Sequence, residues 1–428
     1  MIFLTVSSRA AIDSTLIQVK WIEEPVRIDG SANESFWKQT EYVSGFIQNF
    51  PTDSLPARSV TRVRMAYDKK NIYVYAELFD SSSKPFIVQS LKRDFSITRS
   101  DAFIVSLSPQ RDKTNGFSFG TNPYGVQREG LIALGGLGGV TTAWDNKWFC
   151  ETQKGDGAWF VEMQIPLKTL RYKNGVQDWD VNFSRIDFKR NENSSWGRVP
   201  RSFNLSALGF AGQMHFEKPV DRAGANLVLI PYLTGGASFR KVDVNAKERV
   251  IRNLANAGFD GKIGLSSSLN LDVTVNPDFS QVEIDDQVVN LDRFEIFFPE
   301  RRQFFIKNSD LFDAFGFSRI RPFFSRRIGL VQGRNIPIIG AARLSGSINR
   351  NWRVGLMDLQ TLQEKELNLK PENFLVAAVQ RRLFDRSNLG IILVSRNTID
   401  PAKGALENHN SVAGMDFNLY SKDNKWRG

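Results

Sequence analysis

The chain has 428 residues, 41% hydrophobic and 24% charged, a composition of folded protein in a length suited to two or three domains. Fifty-six basic and 46 acidic residues give a net charge of +10, which points to an anionic partner or an anionic lipid surface without choosing between them. A single cysteine, Cys150, and two histidines, His215 and His409, exclude a disulfide framework and histidine-rich metal centres, and no apolar run reaches the ~18 residues of a spanning helix.

The start, "MIFLTVSS", is apolar but lacks a basic lead, so residues 1–16 read as an arm or the remnant of a signal peptide. From residue 17 to 219 the pattern is one of short strands and turns. "VTRVRMAY" and "IYVYAELF" flank the polar loop "DKKN", as a hairpin does. "DAFIVSLS", "WFVEMQI" and "WDVNFSRIDF" alternate similarly, with Trp159, Val161, Met163 and Ile165 in phase. Strands of this length between Gly, Asn and Asp predict an antiparallel β-sandwich.

After 220 the strands lengthen. From Ala255 to Val275 nearly every odd position is apolar or small and the even ones are polar or glycine, so two strands joined at "SSS" (266–268) are expected. The same alternation returns in "IGAARLSGSI" and "SVAGMDFNLY". The connections read long (241–254), short (266–268), very long (277–336), short (349–351), long (361–373), short (385–388), long (399–410) and short (421–425). Strict alternation of this kind is a habit of outer-membrane barrels, with short periplasmic turns and long outer loops. Residues 220–428 are therefore expected to form such a barrel, with Ile263, Leu265, Leu271, Ala342, Leu344 and Phe417 toward lipid. Arg343, Asp272 and Asp416 then face the lumen. The fold class is all-β.

The connection 277–336 holds a stretch, 297–329, with nine phenylalanines and six arginines. Water suits the arginines and lipid suits the rings, but neither suits both. A plug inside the barrel does: the rings pack together while Arg301, Arg302, Arg319, Arg321, Arg326 and Arg327 meet carboxylates such as Asp285 and Asp286. A docking loop for another subunit is the alternative.

Several motifs carry a resemblance. "VRIDGSANESFW", "YDKKNIYVYAELFD", "NGFSFGTNPYGVQREGLI" and "WFVEMQIPLKTLRY" resemble a family 9 carbohydrate-binding module, one of the DOMON-like sandwiches. "LDVTVNPDFSQVEIDDQVVNLDRFEIFFPERRQFF" followed by "FFSRRIG" is similar to an uncharacterised C-terminal domain of Bacteroidetes-type outer-membrane proteins. Members of that type run on for several hundred residues, so a barrel ending at "SKDNKWRG" is expected to be incomplete. The resemblance implies a sugar clamped between aromatic loops, here "KRDFSITRSD" and "KRNENSSWGR", which offer Phe95 and Trp196. Trp144 and Trp148 are further platforms, and Arg99, Asp101, Arg128 and Asn193 are rim contacts. Phe103 and Ile104 stand where sugar-binding modules carry an acidic residue, a departure that bears on affinity.

These features point to non-catalytic glycan binding or handling at the envelope of a Gram-negative cell, with the sandwich periplasmic. Glycan or peptidoglycan, outer-membrane lipid and other outer-membrane proteins are the expected partners; nucleic acid is not, and no cofactor is expected. Two alternatives remain. One is a structural subunit of an outer-membrane assembly. The other is a glycoside hydrolase using carboxylates of "DFSQVEIDD", which needs a pair about 5–10 Å apart in a cleft. "GGLGG" (135–139) lacks the lysine and the strand-to-helix setting of a phosphate loop.

Overall fold

The computed structural model describes residues 15–419 apart from 81–83, 137–138, 143, 145, 156, 222–226, 242–248, 267, 278–299, 301, 307, 314, 317–320, 332–333, 350, 365–367, 385–386, 401 and 403–404. The chain is all-β with a few short helices and divides into two units, Met1–Ala223 and Gly224–Gly428.

The first unit begins with β1 (Leu16–Trp21), α1 (Ser35–Gln39), β2 (Ile47–Phe50), β3 (Thr61–Tyr67) and β4 (Asn71–Phe79). It continues with β5 (Ala102–Ser108), β6 (Gly116–Thr121), β7 (Gln127–Ile132), β8 (Val140–Thr141) and β9 (Phe149–Gly155). It ends with β10 (Ala158–Pro166), β11 (Val176–Asp187), β12 (Glu192–Ser195) and β13 (Gly212–Val220). The path of the sheet is β8-β7-β6-β5-β11-β13-β1-β3-β4-β10-β9. It turns at β1, whose first residues pair with β13 and whose last pair with β3, both parallel. One strand thus belongs to both layers.

Period 2 sets the interior. Trp159, Val161, Met163 and Ile165 lie opposite Leu78, Ala76, Val74 and Ile72, and all eight are buried. On the other layer, Phe119–Val105–Phe183 and Phe117–Leu107–Val181 form two cross-strand rows, also buried. Each such side chain contributes about 1.5–3 kcal/mol when removed from water. The "DKKN" loop is the expected hairpin: Asp68 Oδ1 accepts the amides of Lys70 and Asn71 at 2.6 and 2.7 Å, closing an Asx turn.

The second unit has β14 (Leu227–Lys241), β15 (Arg249–Gly264), β16 (Leu269–Val275), α2 (Gln303–Ile306), α3 (Asp310–Asp313), β17 (Leu330–Val331) and β18 (Arg334–Asn335). Then come β19 (Ile338–Ser347), β20 (Trp352–Thr361), β21 (Glu372–Leu383), β22 (Ser387–Asp400) and β23 (Ala405–Asn418). Eight strands make one antiparallel ladder in the order β14-β15-β16-β19-β20-β21-β22-β23, each beside its neighbour in the chain, with β17 and β18 a separate small pair. Among the described residues β14 and β23 are the two edges, and they do not pair with each other.

Residues directly opposite in an antiparallel ladder share a face. One row runs Leu227–Ile263–Leu271–Leu344–Leu356–Ala377–Leu393–Ala413 across all eight strands. The next runs Leu269–Gly346–Val354–Val379–Ile391–Met415. Both are apolar, and Leu227, Leu356, Val379, Ile391, Leu393, Met415 and Phe417 are exposed. The opposite face carries Asp272–Arg343–Met357–Val376–Val394. Ile263, Leu271, Leu344, Ala342 and Phe417 therefore share one face, while Asp272, Arg343 and Asp416 share the other. Asp272 and Arg343 are buried there as an ion pair at 2.9 Å.

That second face is covered by described parts of 300–328. Phe305, Leu311, Phe312, Phe315, Phe323 and Ile328 pack with Ile338, Met357, Leu359, Val376, Ala378 and Ile392 in one buried cluster. Two glycines make the seats. A Cβ on Gly355 would lie 2.6 Å from Phe312 Cζ, and one on Gly390 would lie 2.9 Å from Phe315 Cζ. Polar groups pin the cover: Asp310 takes both guanidinium nitrogens of Arg353, and Asn308 Nδ2 donates to Ser345 Oγ at 3.0 Å. Arg302 bonds Glu300 and the carbonyls of Ser325 and Ile328, so its carboxylate is one the sequence reading did not name. Arg321, Arg326 and Arg327 are described, each with partners, whereas Arg301, Arg319, Asp285 and Asp286 lie outside the described residues.

Two expected connections are shorter than the sequence suggested. β22 and β23 run to Asp400 and from Ala405, so 399–410 is mostly strand. β14 reaches Lys241 and β15 starts at Arg249, which trims 241–254 likewise. The strict short–long alternation therefore fails at 401–404. The strands there extend past the apolar rows with polar residues on both faces, and a strand wetted on both sides carries no period.

Candidate functional site

The eight predicted sugar contacts fall in the first unit, and the structure separates them. Trp144 and Trp148 lie inside the sandwich, stacked around Phe117 and Phe119 with ring centroids 5.2–6.2 Å apart. Trp148 Nε1 donates to Glu129 Oε2 at 3.1 Å, and Glu129, fully buried, also binds Arg93 and the Asn146 amide. Trp196 is buried against Phe183, 5.5 Å between centroids. None of these three rings offers an open face for a sugar. Asp101 is equally committed: its carboxylate accepts the amides of Ile87 and Phe188, both at 2.7 Å, and burial pushes its pKa up. Arg99 ends a short 3₁₀ turn, Ile97–Arg99, and is exposed.

The remaining three share one surface. Side chains of β5, β6, β7 and β11 that point away from the sandwich interior form cross-strand rows. Arg128, Gly120, Ile104 and Ser184 make one row; Gly130, Ser118, Ser106 and Asn182 make the next. Asn193 of β12 stands opposite Ile186 in the adjoining row. Phe95 reaches the same surface because Asp94 takes the left-handed conformation (φ 60°) and clips the loop to β7. Its amide bonds the Gln127 carbonyl, and its Oδ1 accepts the Glu129 amide. Phe95, only 3% exposed, then packs on Ala102, Ile104 and Ile186 and shows no more open face than the tryptophans, while Ile97, Val126 and Leu205 lie alongside, partly buried.

Under that apolar wall lies a polar floor. Ser118 and Asn122 follow each other on one face of the β6 strand and its continuation, with Gly120 between them adding no side chain. Arg128 stands opposite Gly120, so the three sit around one point, with diagonal backbone separations of about 7–8 Å. Ser118 Oγ, Asn122 Nδ2 and Arg128 Nη1 are all buried and have no hydrogen-bond partner among the described residues. Leaving a buried donor unmade costs about 1–3 kcal/mol, so three together describe a place prepared for something oxygen-rich. Asn122 Oδ1 is already engaged with the amides of Tyr124 and Val126 (2.9 and 3.2 Å), which fixes the direction of its amide nitrogen. Desolvation lowers the pKa of Arg128, and the charges of Asp94 and Glu129 oppose that shift. Arg128 keeps 8% of its surface exposed, whereas Ser118 keeps 1% and Asn122 none.

Sequence reasoning found Arg128 and Phe95 but missed Ser118, Gly120 and Asn122. The available signal was "SFGTN", small and polar at every second position of a strand whose other residues are Phe119 and Thr121. It also missed Tyr124, an exposed ring on the same turn as Asn122, with Lys154 Nζ 3.1 Å above its centroid. Among the described residues no group of three His, Cys, Asp or Glu gathers as metal ligands would.

A family model described as "Domain of unknown function (DUF5916)" matches residues 224–337. The chain is also similar to a carbohydrate binding module family 9 from Caldicellulosiruptor kristjanssonii in complex with cellotriose. The identity is 16% and the TM-score 0.36, over 49% of this chain and 97% of that one. The structure from the same organism in complex with glucose gives 16% identity and a TM-score of 0.35, over 48% and 98%. No curated protein matches.

Proposed function

We propose that this is a non-catalytic glycan-binding protein of the outer membrane, its sandwich capturing or handling glycan in the periplasm and its second unit lying in the bilayer as part of a barrel. The observation that carries the glycan reading is the floor of Ser118, Asn122 and Arg128 beside the partly buried Ile97, Val126 and Leu205. Buried donors without partners beside apolar side chains suit a ring that is hydroxylated at its edge and C–H on its face. The sequence likeness to carbohydrate-binding modules supports the same reading. The bilayer reading rests on the two exposed apolar rows of the second unit. Together with the Trp352–Arg381–Leu389–Phe417 row they extend over about 14 Å along the strands, a little over half of the ~25 Å band of such barrels.

A glycan array with the full chain in detergent tests the site. Binding of a glycan that falls at least tenfold in Arg128→Ala, with the melting curve kept, is the expected result. Specific retention of membrane proteins with no glycan bound favours the assembly-subunit reading instead.

A further inference from the structure

We infer that the cradle around Gly120 is specific for a glycan end carrying a carboxylate, such as a terminal uronate, rather than for a neutral sugar. This rests on the glycan reading above and narrows it.

The case comes from which groups are left over. A site for a neutral sugar must both donate and accept, because each hydroxyl does both. Several acceptors near this floor are already engaged. Asn122 Oδ1 holds two amides, and Asp101 holds two more. Glu129 projects to the opposite side of β7, where Arg93, Trp148 and the Asn146 amide occupy it. What remains buried and unmet is Arg128 Nη1 and Asn122 Nδ2, which can only donate, and Ser118 Oγ, which can do either; with the Ser106 hydroxyl opposite Ser118 as the further acceptor, donation predominates.

Charge points the same way. Among the described residues Arg128 has no ion pair, although Asp94 and Glu129 lie close enough to act on it through space. A buried guanidinium without a carboxylate on it is the costly half of a pair. A ligand carboxylate supplies the other half in the planar, forked geometry that arginine favours. Asn122 Nδ2 and Ser118 Oγ then serve the acid's second oxygen or the neighbouring hydroxyl, and Ile97, Val126 and Leu205 border the apolar side.

Titration calorimetry on the full chain in detergent decides the matter. The probes are a glucuronate-terminated oligosaccharide, its neutral glucose-terminated counterpart and sodium acetate. The expected result is at least tenfold tighter binding of the acid than of the neutral sugar, weakening as salt is raised, with no measurable binding of acetate at the same concentrations. Asn122→Asp keeps the acceptor that holds the turn but puts a negative charge on the floor. It should erase the preference while melting as the parent does. Arg128→Gln should bind both sugars alike. Equal affinity for acid and neutral sugar in the parent overturns the acid specificity and leaves the glycan reading standing. Failure of the folded protein to bind either sugar overturns both. Binding of acetate as tight as that of the acidic sugar shows a general carboxylate site and overturns the sugar specificity.

Discussion

At the scale of single residues, burial decides what each polar group can do. Glu162 has no exposed surface, accepts the amides of Asp29 and Gly30 with Oε2, and leaves Oε1 without a partner. Burial pushes its pKa up to about 7, above the 4.5 of a free glutamate. A raised folded-state value means that the native protein binds this proton more tightly than the unfolded chain. The contribution is therefore full below about pH 4.5 and is lost as pH rises through 7, some 3 kcal/mol in all. Denaturant unfolding followed by tryptophan fluorescence should show this loss between pH 5 and pH 8, and Glu162→Gln should remove most of it. Trp196→Ala should cost about 3–5 kcal/mol of sandwich stability, because the ring packs on Phe183 in the core. Intact thermal stability in that variant would restore the ring as a surface platform.

Secondary-structure elements show why some of this could be read from sequence and some could not. Strands with one wet and one dry face betray themselves by period 2, so β4, β10, β19 and most of the ladder were legible, and so were the faces of Leu271 and Asp272. The ends of β22 and β23 were not, because a polar strand with two wet faces looks like a loop. The cluster around Gly120 was half legible. Loop aromatics advertise a platform, but whether Trp144 ends on the surface or on Phe117 depends on contacts between distant strands. Arg128 matters because Gly120 lies opposite, a matter of register that no local pattern contains. The glycine seats allow a test at this scale. Gly355→Val should push Phe312 off β20 and expose 304–324 to protease in detergent. Adding Phe312→Ala should restore protection in part, as double substitutions do for residues in contact. No recovery would mean that Gly355 serves the strand and not the ring.

For the molecule as a whole, the two units follow opposite rules. The sandwich puts its apolar rows inside, whereas the second unit shows Leu356, Leu393 and Met415 on the outside and covers its other face with a segment of its own chain. Arginine on a lipid-facing strand costs about 2–4 kcal/mol near the bilayer centre. Leu393→Arg should therefore lower recovery in the membrane fraction, while Leu55→Arg, on an exposed sandwich loop, should not. Equal recovery of both would argue that the outward rows meet protein, as in an assembly subunit.

The covering segment also imposes an order of events. It leaves the ladder after β16, yet its anchors lie on strands that come later in the chain: Asn308 on β19, Asp310 and Phe312 on β20, Phe315 on β22. A polypeptide emerging from its N-terminus has no place to put those phenylalanines until three or four further strands exist. Closing this face is thus a late step, and the interval before it is when the chain is most open to aggregation and most in need of an escort.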